Sequence, residues 1–166
     1  MISKIPIYSN NFKDIFKKTD LFIIELCGKK TYKYNNKYVH SALFNFSDDS
    51  ISKQIVINTQ SDNEIENDII EISNQLNTKN IIIVGHIVTH LHGERYDLSN
   101  LLENICIKHN MYYINPVREI NKKGYNIKDV VQEETKIYHY NNEGHRIMSE
   151  IYEEYIDKYR SAQSKA

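Results

Sequence analysis

Short apolar runs alternate along this chain with stretches whose apolar residues recur at helical spacing. Leu21-Phe22-Ile23-Ile24-Glu25-Leu26 is almost wholly apolar and stops at Cys27-Gly28, which predicts a buried strand over 21–26. Residues 80–88, with Ile-Ile-Ile-Val at their centre, predict a second strand over 80–86. Residues 111–114 predict a third, closed by Asn115-Pro116. Ser61 with Glu64 spells a capping box, and Ile65, Ile69, Ile72 and Leu76 follow at helical spacing, so a helix is expected over 62–77. Asp97 is a candidate cap for a helix over 97–109 carrying Leu98, Leu101, Leu102, Ile105 and Cys106. Asn141 is the candidate cap of a final helix over 142–158, and the tail after Tyr159 is expected to fray. Two aromatic segments around Asn35-Asn36 predict a hairpin within 32–40, and 54–58 a further short strand. Residues 117–138 read as loop-like with local helix of unassigned bounds, and a short helix fits 11–18.

Strands that alternate with helices favour an α/β fold: three layers, α/β/α, with a mostly parallel central sheet and right-handed crossovers. Ligands of such sheets bind beyond the carboxyl ends of the strands. Cys27-Gly28, residues 85–92, Asn115-Pro116 and the loop carrying His139 can all converge there. The length of 166 residues suits a single domain over 1–166.

A net charge of −1 gives no electrostatic case for nucleic acid or an anionic membrane as partner. Two cysteines, Cys27 and Cys106, are too few for a disulfide framework and read as free thiols of a reducing compartment. No apolar stretch approaches the ~20 residues of a membrane span. A cytoplasmic protein without a cofactor is expected, its oligomeric state left open.

The candidate chemistry centres on Tyr138-His139-Tyr140-Asn141-Asn142-Glu143-Gly144-His145. A histidine beside polar turn residues, opening the last helix, resembles the final catalytic block of the SGNH (GDSL-like) hydrolase superfamily. Residues 19–28 resemble the strand leading to that family's Gly-x-Asn-Asp block, and 80–88 its next central strand. Residues 95–116 resemble its Arg, helix and Asp-Pro-ending strand. The pairing of Glu-Leu-Cys-Gly-Lys-Lys-x-Tyr with His-Tyr-Asn-Asn-Glu-Gly-His is similar to SGNH-like proteins encoded beside polysaccharide-modifying genes.

The resemblance implies an SGNH-like (flavodoxin-like) architecture and an acyl-ester hydrolase or acyltransferase acting on carbohydrate, divergent and catalytically impaired. His139 would be the general base. The family's Asp, three residues earlier, is Lys136, and its oxyanion-hole Asn falls at Lys30. Its first block, the strand that carries the nucleophile, has no counterpart in 1–19 and would precede residue 1. Cys27, at a strand end beside Lys29 and Lys30, is the candidate nucleophile of a Cys-His dyad, or else a small buried hydrophobe. Gly28, Lys30, His90 and Arg95 are the expected substrate contacts, with Gly28 and Gly85 as cleft floor.

Two other readings stand beside this one. A descendant keeping only the cleft would be a non-catalytic carbohydrate-binding or assembly module, with some of the 13 tyrosines stacking on sugars. Thr89-His90-Leu91-His92-Gly93-Glu94-Arg95 resembles the metal motif of metallo-β-lactamase-fold hydrolases, with Glu94 and Arg95 in place of the motif's Asp and last His. That would make His86, His90 and His92 ligands of a metal-dependent hydrolase. A polar loop after a central strand is the favoured explanation of these residues, and no stoichiometric metal is expected. Arg118 is a further possible anion anchor.

Overall fold

The computed structural model describes residues 18–41, 49–76, 81–132 and 139–164. The elements run β1 (Phe22–Leu26), β2 (Lys30–Tyr34), β3 (Lys37–Tyr38), α1 (Asp49–Ser52), β4 (Val56–Thr59), α2 (Asp62–Gln75) and β5 (Ile81–Gly85). They continue with α3 (Glu94–Lys108), β6 (Tyr112–Ile114), α4 (Pro116–Lys122), a 3-10 turn (Ile127–Asp129) and α5 (Asn142–Gln163). The helix expected over 11–18 falls almost wholly outside the described residues.

The chain is mixed α/β around a small parallel sheet ordered β1-β5-β6. Phe22 pairs with Ile81, Glu25 with Val84, Ile82 with Tyr112 and Val84 with Ile114. All five residues of β5 are buried, as befits a parallel strand covered on both faces. Its side chains alternate between two apolar clusters. Ile81 and Ile83 pack with Ile65 and Ile69 of α2 and Leu98, Leu102 and Ile105 of α3. Ile82 and Val84 pack with Ile120 of α4, Val130, and Ile147, Met148 and Ile151 of α5. The three expected parallel strands thus share one sheet.

A second, antiparallel sheet is ordered β3-β2-β4. Its hairpin turns at Asn35 and Asn36, with φ of 49° and 60°. A two-residue turn that matches strand twist needs positive φ at both places, which Asn tolerates better than most residues. Ser61 and Glu64 form the reciprocal capping box of α2, with Ser61 N–H donating to Glu64 at 2.7 Å.

Three boundaries differ from the sequence reading. Helix α3 begins at Glu94 and not at Asp97, because Gly93 takes φ of 93° and turns the chain into the helix early. Asp97 then lies in the first turn beside the positive end of the helix dipole. Residues 116–122 form a defined helix within a segment read as loop-like with local helix of unassigned bounds. Asn115 accepts the Arg118 N–H at 3.1 Å and Pro116 opens the helix, so the dipeptide that stops β6 also starts α4. Helix α5 continues past Tyr159 because Tyr159 is buried, edge-on to Tyr112 with centroids 6.1 Å apart.

Candidate active site

Strand parity places the site. Ile82 and Val84 face α5, and His86, two residues further on, continues that side beyond the strand's carboxyl end. Glu25 pairs with Val84 across the sheet and shares the face. Its carboxylate meets His86 Nδ1 at 2.8 Å. The His86 side chain is 11 % exposed and that of Glu25 43 %. His86 Nε2 is buried and meets no hydrogen-bond partner among the described residues, which costs about 1–3 kcal/mol if nothing else satisfies it.

The segment leading into α5 closes the other wall. Val131 and Tyr140 form an antiparallel bridge, and Gln132 N–H donates to the His139 carbonyl at 2.8 Å. Asn141 donates from Nδ2 to the Asp129 carbonyl at 2.9 Å, and its Oδ1 accepts the Gly144 N–H at 2.9 Å. One side chain therefore caps α5 and ties it to the 3-10 turn. Gly144 is required here: a Cβ on it would lie 2.2 Å from the Val130 carbonyl oxygen.

Glu25, His86, Gln132, His139, Tyr140 and His145 together line a cleft of about 340 Å³. His139 and His145 are exposed, and His145 sits edge-on to Tyr140 with centroids 5.7 Å apart. Burial, then the neighbouring Tyr152 and Glu25, raise the Tyr140 phenol far above its ordinary range, so its hydroxyl stays protonated. Three imidazoles and one carboxylate in a half-enclosed cleft can accept and return protons.

Of the residues expected to serve ester chemistry, only His139 lines this cleft; His86, expected as a metal ligand, lines it too. Cys27 is exposed at the end of β1 but is not among the lining residues, so the cleft does not bring it together with His139. Gly28 instead borders an apolar cavity with Ile24, Leu26 and Ile65 on the α2 side of the sheet. A Cβ on Gly28 would meet nothing within 4 Å, so no close approach demands glycine there. Gly85 is demanded by the protein itself, since a Cβ would lie 2.4 Å from the Tyr113 hydroxyl. Lys30 pairs with Thr59 in the antiparallel sheet, and Arg95 belongs to the first turn of α3; neither lines the cleft.

His90 and His92 are exposed and stack on each other at 5.5 Å and 17°, and neither is among the residues lining the cleft. Among the described residues no three His, Cys, Asp or Glu side chains are grouped to hold a metal ion, so the His86, His90 and His92 ligand set is not assembled. Arg118 is engaged by Glu103 and Glu119, which leaves little free charge for an anion. Cys106 is buried, and that burial pushes its thiol up to about 12, which leaves it inert.

Glu25 and His145 were missed as site residues in the sequence. Glu25 is the one charge in the apolar run of β1, and a carboxylate in such a run signals a polar demand on that face. Compared with family models, curated proteins and solved structures, this chain matches none.

Proposed function

We propose that this chain is an SGNH-like protein handling acyl esters of carbohydrate, as hydrolase or acyltransferase, at the cleft beyond the carboxyl ends of β1 and β5. The observation that carries the reading is the cleft's position and lining. His139, the imidazole of the block that resembles the family's last, meets two further imidazoles and a carboxylate there. The apolar clusters on the two faces of the parallel sheet favour the three-layer SGNH-like architecture that the resemblance implies. Tyr140 offers a protonated hydroxyl and an aromatic edge suited to a sugar.

Catalysis of this kind needs a base for the attacking hydroxyl and a proton for the leaving alkoxide. Imidazoles supply both. No serine or cysteine is among the residues lining the cleft, so turnover of unactivated esters is expected to be slow. The test is release of acetate from O-acetylated xylo-oligosaccharides by the full chain, together with amide shift mapping of the bound sugar. Acetate release with shifts at Gln132, His139 and His145 supports the reading. Shifts at those residues without acetate release select the second reading, a non-catalytic carbohydrate-binding module, which the missing side-chain nucleophile favours. Neither release nor shifts overturns both.

A further inference from the structure

We infer that the apolar cavity on the α2 side of the parallel sheet binds a short alkyl chain whose polar head carries no negative charge. The cavity and the cleft lie on opposite faces of the sheet, so this site is independent of the acyl-ester reading. Alternation along β1 sends Glu25 to the α5 face, where it meets His86, and Ile24 and Leu26 to the α2 face. There they meet Ile65 and Ile69 of α2 and Ile81 and Ile83 of β5 around a cavity of about 110 Å³.

The cavity is closed at its floor and open at its mouth. Ile65, Ile69, Ile81 and Ile83 are at most 3 % exposed, whereas Gly28, Asp68 and Ile72 of the same lining are exposed. Ile72 continues the core-facing stripe of Ile65 and Ile69 at helical spacing, yet it is 40 % exposed. An apolar position of the core stripe is thus left wet at the mouth. Native interiors hold few voids larger than a water, and an unfilled apolar cavity destabilises a fold in proportion to its volume. An inserted chain buries its own tail and the wet face of Ile72 together. Size sets the tail. An apolar cavity of ~150 Å³ stays dry and takes up benzene; by proportion, about 110 Å³ suits a tail of about four carbons.

The mouth selects the head. Gln60 Nε2 donates to Asp68 Oδ2 at 2.6 Å, and both side chains line the cavity. Asp68 supplies the charge of that lining, and its carboxylate repels an anionic head. An amide or hydroxyl head can donate a hydrogen bond to it, which an ionised carboxylate head cannot.

Methyl spectra of the full chain, labelled at isoleucine Cδ1, test this with pentanamide and pentanoate. The two share a tail and a shape and differ in charge, and neither is an ester that the cleft could consume. At pH 7, where pentanoate is ionised, pentanamide should shift the Ile65, Ile69, Ile81 and Ile83 methyls saturably. Pentanoate should bind at least about tenfold more weakly. Asp68→Asn changes an exposed position and keeps an acceptor for Gln60, so it should bring pentanoate within about threefold of pentanamide. Absence of saturable shifts with pentanamide overturns the inference. So do equal shifts at Ile147 and Ile151 on the α5 face, which mark unspecific partition. Equal wild-type affinities for the two compounds, or an Asp68→Asn variant that still rejects pentanoate, overturn the assignment of the head. None of these outcomes bears on the acyl-ester reading.

Discussion

Replacing Gly144 by alanine sets two local effects against each other, and the structure decides between them. Gly144 is the third residue of α5. Helix propensity alone favours alanine there by about 1 kcal/mol. The added Cβ, however, would sit 2.2 Å from the Val130 carbonyl oxygen, and 3.0 Å and 3.1 Å from Tyr140 Cδ1 and Cβ. Contacts under 3.0 Å are essentially never made by a real Cβ, so helix and turn must part by about 0.8 Å, the difference of those two distances. Val130 is backbone held in place: its oxygen also accepts the Asn141 N–H at 3.1 Å, and its side chain is fully buried. Moving it disrupts that hydrogen bond, worth about 1 kcal/mol, and strains a packed core by about 1–3 kcal/mol. Against the propensity gain, the net loss is about 2 kcal/mol. Urea unfolding followed by circular dichroism measures it. With a slope of about 1–3 kcal/mol per molar urea for a domain of this size, the midpoint should fall by about 1 M. Gly28→Ala is the matched control: its Cβ enters open space, so the midpoint should hold or rise slightly. A Gly144→Ala midpoint at or above wild type would show that the close approach to Val130 does not exist, and with it the placement of His139 beside His86.

Gly85→Ala should also destabilise, by about 1–3 kcal/mol, because its Cβ meets the Tyr113 hydroxyl at 2.4 Å. Adding Tyr113→Phe should recover part of that loss, and a double-mutant cycle that came out additive would disprove the contact. Glu119 is buried, which on its own would raise its carboxyl, but hydrogen bonds from Lys122, Arg118 and Tyr155 hold it below its ordinary value of 4.5. Its contribution to stability is therefore complete above about pH 4.5 and lost as pH falls through the lower folded value; Glu119→Gln should flatten the acid limb of midpoint against pH, and an unchanged limb would refute this. Asn141→Ala removes the α5 cap and the tie to Asp129 and should cost about 1–2 kcal/mol in the same urea assay. Little turnover of a short-chain aryl ester is expected from the wild-type chain, and robust turnover abolished by Cys27→Ala would restore Cys27 as nucleophile.

The parallel sheet was legible because its strands are read from both faces. Ile81-Ile82-Ile83-Val84 is buried on both sides, so a continuous apolar run is its necessary spelling. Helix α2 was equally plain, with its capping box and its inner residues Ile65 and Ile69. Helix α4 was not, because Asn115-Pro116 reads as a strand stop and as a helix start with the same letters. Only three-dimensional context separates the two: Ile120 fully buried against the α5 face of the sheet makes seven residues worth folding. The early start of α3 at Gly93 follows the same logic, since a glycine can either end a loop or open a helix.

The site was half legible, for a reason rooted in strand parity. His139 could be placed from its local spelling, because a loop before a capped helix is a local feature. Glu25 and His86 lie 61 residues apart, and each alone is unremarkable: one acid in a strand, one histidine after another. Their meeting depends on register, on Glu25 standing opposite Val84 and His86 following two places later on the same side. A slip of one residue would send Glu25 to the α2 face and leave His86 without its carboxylate. Parallel register is set by long-range packing and not by a turn, so no local pattern could announce it. Cys27 illustrates the converse. Its setting at a strand end beside Gly28 looked like a nucleophile's, yet nothing in that spelling fixes which cleft the thiol would join. The Glu25–His86 contact depends on the pairing of β1 with β5, and a substitution that shifts that register should abolish the contact while leaving the Asn141 cap and the His139 loop intact.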